Sequence, residues 1–282
     1  MPEPAPDIIL PPKPPLHPLH RLWSRPWVRR LFYEALAAFF GGATKWQLMN
    51  YGYAFLPDDP AGDPPALDPE EHAERFCLHL YHVVAAQTSL AGKRLLEVGS
   101  GRGGGTSYVH RRLGPAETVG VDLAASAVRF CQKVHGGIGG LSFRQADAAA
   151  LPFPDGSFDA VLNVESSHGY PDVEAFYRQV YRVLRPGGHF LYTDYGRVAK
   201  PAAERMARAG FVEIATRDIT QNVLESLRSD EARRRDLIRT HVPKPLRSVA
   251  EVWAGTSKSD FYDDLATGRR RYLKFRAKKP EA

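Results

Sequence analysis

Cysteine is scarce in this chain: Cys77 and Cys131 are the only two among 282 residues. Two thiols supply neither a disulfide framework nor the Cys/His spacing of a zinc site, so both are expected to be inert packing residues in a reducing cytoplasm. Long apolar runs are missing too. None approaches the roughly 20 residues that a bilayer-crossing helix needs, and the opening Met1-Pro2-Glu3-Pro4-Ala5-Pro6-Asp7 lacks the basic and apolar regions of a secretory signal, so a soluble cytoplasmic protein is expected. Acidic residues are in deficit, with 32 Asp and Glu against 38 Lys and Arg, for a net charge of +6. No internal repeat is visible. What remains is a chain 43% hydrophobic, long enough to bury a full α/β core with appendages.

Glycine, in contrast, is concentrated. The stretch Leu95-Leu96-Glu97-Val98-Gly99-Ser100-Gly101-Arg102-Gly103-Gly104-Gly105 puts five glycines within seven residues, directly after an apolar run that ends in an acid. Such a run reads as a strand breaking into a turn that opens a helix, where the missing Cβ lets backbone N–H groups approach a ligand. The spacing Gly99-x-Gly101-x-x-Gly104 also satisfies the dinucleotide fingerprint, so NAD is the rival cofactor. Glu97 chooses between them. A carboxylate there would repel a pyrophosphate seated on the helix N-terminus, whereas S-adenosylmethionine (SAM) has no phosphate and carries an α-ammonium and a sulfonium.

The following segments fit a nucleoside. Thr118-Val119-Gly120-Val121-Asp122-Leu123 reads as a second strand ending in an acid about twenty residues past the glycines, the distance at which a carboxylate accepts ribose hydroxyls. As an alternative, Asp122 caps a helix or turn. Leu141 to Ala148 reads as a third strand, with Asp147 suited to the adenine amino group and the Ala148 N–H to the ring. The turn Leu151-Pro152-Phe153-Pro154-Asp155-Gly156-Ser157 then feeds a fourth strand, Phe158 to Asn163.

This order resembles the class I SAM-dependent methyltransferases, in the small-molecule branch that carries a Leu-Pro-Phe…Asp…Ser-Phe-Asp segment. The likeness runs from about Leu95 to Phe190 and includes Val183-Leu184-Arg185-Pro186-Gly187-Gly188-His189-Phe190, where that family leaves a helix for its fifth strand. Narrower matches at Leu80-Tyr81-His82, Gly103 to Tyr108 and Asn163 to Pro171 are similar to mycobacterial phthiotriol/phenolphthiotriol dimycocerosate methyltransferases and related lipid and polyketide O-methyltransferases. The resemblance implies an α/β, Rossmann-like, seven-stranded and mostly parallel sheet with helices on both faces. It also implies an N-terminal helical lid, a helical insertion before the last strand, SAM as cofactor and S-adenosylhomocysteine as product. Glu97, Gly99, Ser100, Gly101, Gly103 and Gly104 are expected to hold the amino-acid end of SAM, and Asp122, Leu123, Asp147, Ala148 and Asn163 the nucleoside end and the pocket between, Asn163 through its backbone. A similar Asn-Tyr-Gly-Tyr-like segment closes over the cofactor in related enzymes, so Tyr51 and Tyr53 are candidates to face the sulfonium, with ordinary packing as the alternative.

The chain divides by composition. Residues 1–19 are Pro-rich and expected to be disordered, and 20–90 form an N-terminal helical cap with a lead-in helix of about twenty residues from Glu70. Within that cap, Arg21 to Phe40 is basic and aromatic at helical spacing, suited to a core-packed helix, a lid or a peripheral membrane contact. Residues 91–218 form the cofactor-binding core, with a helix from Pro201 to Gly210 and a strand at Phe211 to Ala215. Residues 219–270 suggest two or three helices that build an acceptor pocket, and 271–282 the last strand and a basic tail. His79 and His82 lie at i, i+3 with no third ligand at metal spacing, so no metal is expected.

Methyl transfer is an in-line displacement, and a hydroxyl acceptor must also lose a proton. His168 is the candidate base, matching the Glu-Ser-x-His setting of related sugar and lipid methyltransferases at Glu165, Ser166 and His168. Asp194, at the end of the fifth strand, is suited to orient it or merely to cap the next element. Glu165 either holds the cofactor loop or serves as base for a carbon acceptor, prenyl or aromatic. Basic clusters at Arg25 to Arg30, Arg233 to Arg235 and Arg269 to Arg271 raise a nucleic-acid substrate as an alternative. The segment after the fourth strand lacks the Asn/Asp-Pro-Pro-aromatic tetrad of base-amine methyltransferases, and neither cysteine follows a proline, which argues against nucleic acid. The resemblance implies instead a hydroxyl of a hydrophobic small molecule, a lipid or polyketide, as acceptor. A SAM-binding protein without catalysis is the further alternative.

Overall fold

The computed structural model describes residues 47–197, 202–244, 247–257 and 259–281. The Pro-rich start and the basic aromatic helix expected over Arg21 to Phe40 lie outside the described residues.

The core is an alternation of strand and helix. A 3-10 turn at His72–Glu74 leads into α1 (Arg75–Ala85), then come β1 (Arg94–Val98), α2 (Gly104–Leu113), β2 (Glu117–Asp122), α3 (Ala125–His135), β3 (Leu141–Gln145), β4 (Phe158–Val164), α4 (Val173–Val183) and β5 (Leu184–Arg197). Each strand is apolar where it is central. Leu95, Leu96 and Val98 of β1 and Val161 and Leu162 of β4 are all fully or almost fully buried, as strands covered on both faces must be. α4 shows the complementary pattern, burying Phe176, Tyr177, Val180 and Val183 on one stripe, and starts where the Asp172 carboxylate accepts the Ala175 N–H at 2.8 Å.

After β5 the chain runs through α5 (Ala202–Arg208), β6 (Val212–Asp218), α6 (Thr220–Ser229), α7 (Glu231–His241), α8 (Arg247–Trp253), α9 (Asp260–Ala266) and β7 (Arg270–Lys278). The seven strands make one sheet in the order β3-β2-β1-β4-β5-β7-β6, parallel from β3 to β5, with β7 antiparallel to both β5 and β6. One layer of buried side chains joins α1, α2, α6 and α9 to one face, and a second joins α4 and α5 to the other.

Several expected boundaries move. The lead-in helix is shorter than twenty residues, ending at Ala85, and two residues on, the Gln87 amide donates to the Val84 carbonyl at 3.0 Å and to the Phe275 carbonyl of β7 at 3.1 Å. β3 stops at Gln145 because the Asp147 carboxylate takes the Ala149 N–H at 2.8 Å and turns the chain. β5 starts earlier than expected, at Leu184, and absorbs Pro186-Gly187-Gly188 as an irregularity in its pairing with β4, with Gly187 at φ +74. The segment expected to hold two or three helices holds four, α6 to α9.

The topology places the site. From β1 the chain winds outward through β2 and β3, then returns to the other side of β1 as β4. Ligands bind in open α/β sheets at the carboxyl ends of the strands where the winding reverses. Glu97, Asn163 and Asp194 stand near those ends, on β1, β4 and β5.

Candidate active site

The turn after β1 is built by glycine geometry. Gly99, Gly101 and Gly103 take φ of +77, +53 and +75, a region that side-chain-bearing residues rarely occupy. A Cβ on Gly99 would lie 2.1 Å from the Ser166 hydroxyl, so the turn packs directly against the segment after β4. Gly101 differs: the nearest atom to an added Cβ is Met49 Cε at 3.9 Å, which leaves its backbone open to approach. Its N–H is taken by Asp122 Oδ2 at 2.9 Å, and Asp122 Oδ1 accepts from Ala124 at 2.9 Å. Two of the three exposed large hydrophobic residues among the described ones, Met49 and Leu123, flank this turn.

Glu97 is completely buried at the end of β1. Its Oε1 accepts the Tyr81 hydroxyl at 2.8 Å, and its Oε2 has no partner among the described residues. Burial pushes the carboxyl up to about 7, against the nearby Thr106 hydroxyl and the Tyr81 hydrogen bond, which favour its charge. Ser100 Oγ and Asn163 Oδ1 are likewise buried without a partner. Buried polar atoms are almost always satisfied, so this crevice has the polar inventory of a ligand site. An ammonium fits Glu97 Oε2, and polar groups of a nucleoside amino acid fit the remainder. The Asn163 side chain is engaged as well: its Nδ2 donates to Val98 O at 2.7 Å, Ser166 Oγ at 2.7 Å and Tyr170 Oη at 3.0 Å, tying β1 to the loop after β4. Asp147 and Ala148 sit in the turn after β3, where Asp147 is exposed.

Tyr53 requires a correction. Its ring is fully buried, edge-on to Phe55, and its hydroxyl donates to the Asp59 carboxylate at 2.7 Å, so it faces the core and has no open side for a sulfonium. Tyr51 is placed differently. Its ring stacks on Phe261 of α9 at 4.1 Å, and its carbonyl accepts from Ser226 of α6 and Arg234 of α7, each at 2.9 Å. The N-terminal segment is thereby pinned under the helices that precede β7.

The second half of the site follows β4. A 3-10 turn at Ser167–Gly169 brings His168 against β5. Asp194 receives four donors: the His168 Nδ1–H at 2.9 Å, the His168 backbone N–H at 2.8 Å, the Ser167 hydroxyl at 2.7 Å and the Tyr195 backbone N–H at 2.8 Å. Because a carboxylate only accepts, Nδ1 carries the proton and the neutral ring keeps its acceptor lone pair on Nε2. Burial works against a charged imidazole, but the Asp194 carboxylate outweighs it, so His168 sits above its ordinary pKa. Burial also acts against ionised Asp194, and His168 and Ser167 hold it below the usual carboxylate range. The imidazole stacks on Tyr195 at 4.5 Å and leaves 34% of its side chain exposed, enough for a substrate to reach.

Glu165 lies between the two halves. Its φ of +47 is strained for a residue with a side chain. The carboxylate Oε1 accepts the Tyr51 N–H at 2.7 Å and the Tyr272 hydroxyl of β7. Burial pushes it up to about 7. It therefore clamps the N-terminal segment and the last strand to the end of β4. His79 and His82 do not converge: His79 lies edge-on to Phe55 and Phe76, and His82 Nδ1 meets the Tyr108 hydroxyl at 3.2 Å. Among the described residues no group of three His, Cys, Asp or Glu could hold a metal ion.

Relatives of the chain are methyltransferases. The family described as "Methyltransferase domain" matches residues 96–192. The chain is 41% identical over 219 residues to the "Probable phthiotriol/phenolphthiotriol dimycocerosates methyltransferase 2" of Mycobacterium ulcerans (strain Agy99), covering 77% of this chain and 83% of that protein. The chain belongs to this methyltransferase family. It is also 40% identical over 234 residues to the fatty-acid O-methyltransferase of Mycolicibacterium smegmatis, covering 82% of this chain and 83% of that one. The geranyl diphosphate C-methyltransferase of Streptomyces coelicolor A3(2), solved with S-adenosyl-L-homocysteine, shares the fold, with a TM-score of 0.61 at 20% identity over 88% of this chain and 97% of that one. The protein is a SAM-dependent methyltransferase with a Rossmann-like sheet.

Within the methyltransferase, sequence reasoning missed Tyr81, Tyr170, Tyr195 and Tyr272, whose hydroxyls or rings complete the site. Tyr81 and Tyr170 carried a signal, through the Leu80-Tyr81-His82 and Asn163 to Pro171 likenesses, and the other two carried none. The basic clusters also resolve. Arg233 and Arg234 pair with Asp230 at 2.6 and 3.1 Å, Arg235 with Glu231 at 2.7 Å, Arg269 with Asp264 at 2.8 Å and Arg271 with Asp218 at 2.7 Å. Arg25 to Arg30 lie outside the described residues. No described helix is long and apolar enough to cross a membrane.

Proposed function

We propose that the methyltransferase transfers the methyl group of SAM to a hydroxyl oxygen of a hydrophobic lipid or polyketide acceptor, with His168 as general base. The observation that carries this reading is the His168–Asp194 pair: Nδ1 bound at 2.9 Å, Nε2 left as acceptor, and the ring partly exposed beside an aromatic wall of Tyr51, Tyr195 and Phe261. When bound, SAM supplies a methyl carbon already activated by its sulfonium. Glu97 and the backbone of Gly99 to Gly104 would hold the amino-acid end, Asp122 the ribose, and Leu123, Asp147 and Ala148 the base. His168 accepts the hydroxyl proton at Nε2, and Asp194 stabilises the imidazolium that results. Helices α6 to α9, with the pinned Tyr51 segment, form the acceptor side.

The relatives' names favour oxygen and a lipid-like acceptor. Carbon methylation with Glu165 as base is the weaker reading, because its Oε1 is already committed to Tyr51 and Tyr272. The test is His168→Ala assayed on a panel of hydroxylated lipids with methyl-labelled SAM. A general base contributes roughly 100-fold to 10,000-fold, so turnover is expected to fall by at least about 100-fold while SAM affinity is retained. Near-wild-type turnover in that variant, or label recovered on carbon, would sink the proposal.

A further inference from the structure

Arg270 opens β7 and differs from the cations on either side of it. Arg269 donates to Asp264 Oδ1 and Arg271 to Asp218, in bonds of 2.8 and 2.7 Å. Arg270 reaches Asp264 Oδ2 only at 3.3 Å, and its Nε is buried without a partner among the described residues. Its guanidinium carbon lies 5.3 Å from the centre of the Tyr195 ring and 5.1 Å from that of Phe261. Those rings belong to the acceptor wall: Tyr195 stacks on His168, and Phe261 stacks on Tyr51.

A guanidinium offers five donors in a rigid plane, and a buried donor left without an acceptor is costly. Cation–π attraction to the two rings accounts for a charged chain at this position, but it leaves Nε without an acceptor. Holding a half-satisfied Arg there makes sense where a planar oxyanion completes it in two parallel bonds. The shared Asp264 removes part of the positive charge, which favours a monoanion over a dianionic phosphate. The rings around it favour an apolar ligand body. Resting on the oxygen-methylation reading above, we propose that Arg270 binds a carboxylate of the acceptor, so that the substrate is a hydrophobic hydroxy acid whose anionic end packs across the Tyr195 ring from His168.

The test uses the full chain saturated with S-adenosylhomocysteine, and two probes of one chain length, dodecanoate and dodecan-1-ol, titrated by calorimetry. The wild type is expected to bind dodecanoate about tenfold more tightly or better. Arg270→Met is expected to remove that preference by weakening dodecanoate alone, with dodecan-1-ol held within about twofold. Arg270→Lys, which keeps the charge but loses the planar fork, should fall between them and carries the test if the Met variant no longer binds S-adenosylhomocysteine. Equal weakening of both probes would reduce Arg270 to a packing residue, and no preference in the wild type would overturn the proposal outright. Binding requires no turnover, so these outcomes stand apart from the His168→Ala and product-position results that test oxygen methylation.

Discussion

Glu97 is a carboxylate kept from water with one oxygen bonded and the other bare. Its charged form is costly without a cation, which is why burial lifts it to about 7, and an α-ammonium at Oε2 reverses that balance. Hydrogen bonds to charged groups contribute roughly 1.5–3 kcal/mol, so Glu97→Gln is expected to weaken SAM and S-adenosylhomocysteine binding by about tenfold to a hundredfold. Near pH 7 the wild type should also release a fraction of a proton on binding, read by calorimetry in buffers of different ionisation enthalpy, and the Gln variant should release none. His168 titrates with its own sign. Asp194 raises its pKa, and the base must be neutral to act, so turnover should climb with pH through a midpoint above about 6.5. In Asp194→Asn the pH–rate curve is expected to shift to lower pH while the plateau rate falls, because the charge that lifts the imidazole also stabilises its protonated product.

At the scale of elements, the strand, turn and helix from Arg94 to Leu113 were legible because everything that forms them is local. An apolar run, an acid and clustered glycines need no distant partner to be read. Glycine nevertheless conceals a tertiary reason here. A Cβ on Gly105 would fall 1.9 Å from the Tyr81 ring, so α2 can approach α1 only with hydrogen at that position. Gly105→Ala is therefore expected to destabilise the fold by about 1–3 kcal/mol, as overpacking does, and to weaken cofactor binding by displacing the hydroxyl that bonds Glu97. Gly137→Ala, where an added Cβ meets nothing within 4 Å, serves as the control in the same thermal melts and titrations. The clamp at Glu165 was not legible. Its partners Tyr51 and Tyr272 lie 114 and 107 residues away, and no periodicity links residues that meet only when β4, β7 and the N-terminal segment assemble. Tyr53 was misplaced for the same reason. Sequence showed an aromatic pair, and only the Asp59 hydrogen bond determined which ring turns to the core.

For the whole molecule, three raised carboxyls set the pH dependence, one fully buried (Glu97) and two partly buried (Glu74 and Glu165). Glu74, Glu97 and Glu165 are each pushed up to about 7, chiefly by burial. A carboxyl raised on folding stabilises the folded state most below its unfolded range, and that contribution is lost as pH climbs toward the raised value. His168, raised by Asp194, adds to the same downward slope at higher pH. Asp59, lowered to about 2 against its burial by the Tyr53 hydroxyl, Arg217 and neighbouring N–H groups, and Asp194, also lowered, act in the opposite direction: their contribution is lost only in acid. The cofactor-free enzyme is therefore expected to melt at progressively lower temperature between about pH 5 and pH 8. Ligand linkage then separates Glu97 from the others. S-adenosylhomocysteine keeps the α-ammonium, so it should bind more tightly as Glu97 ionises, and the melting-temperature increase it gives at fixed concentration should grow across that interval. In Glu97→Gln that growth should vanish while the general slope from Glu74 and Glu165 persists. An increase in the wild type that stays constant or shrinks with pH would show that Glu97 does not receive the ammonium, and the amino-acid end of the cofactor would have to be seated elsewhere along the β1 turn.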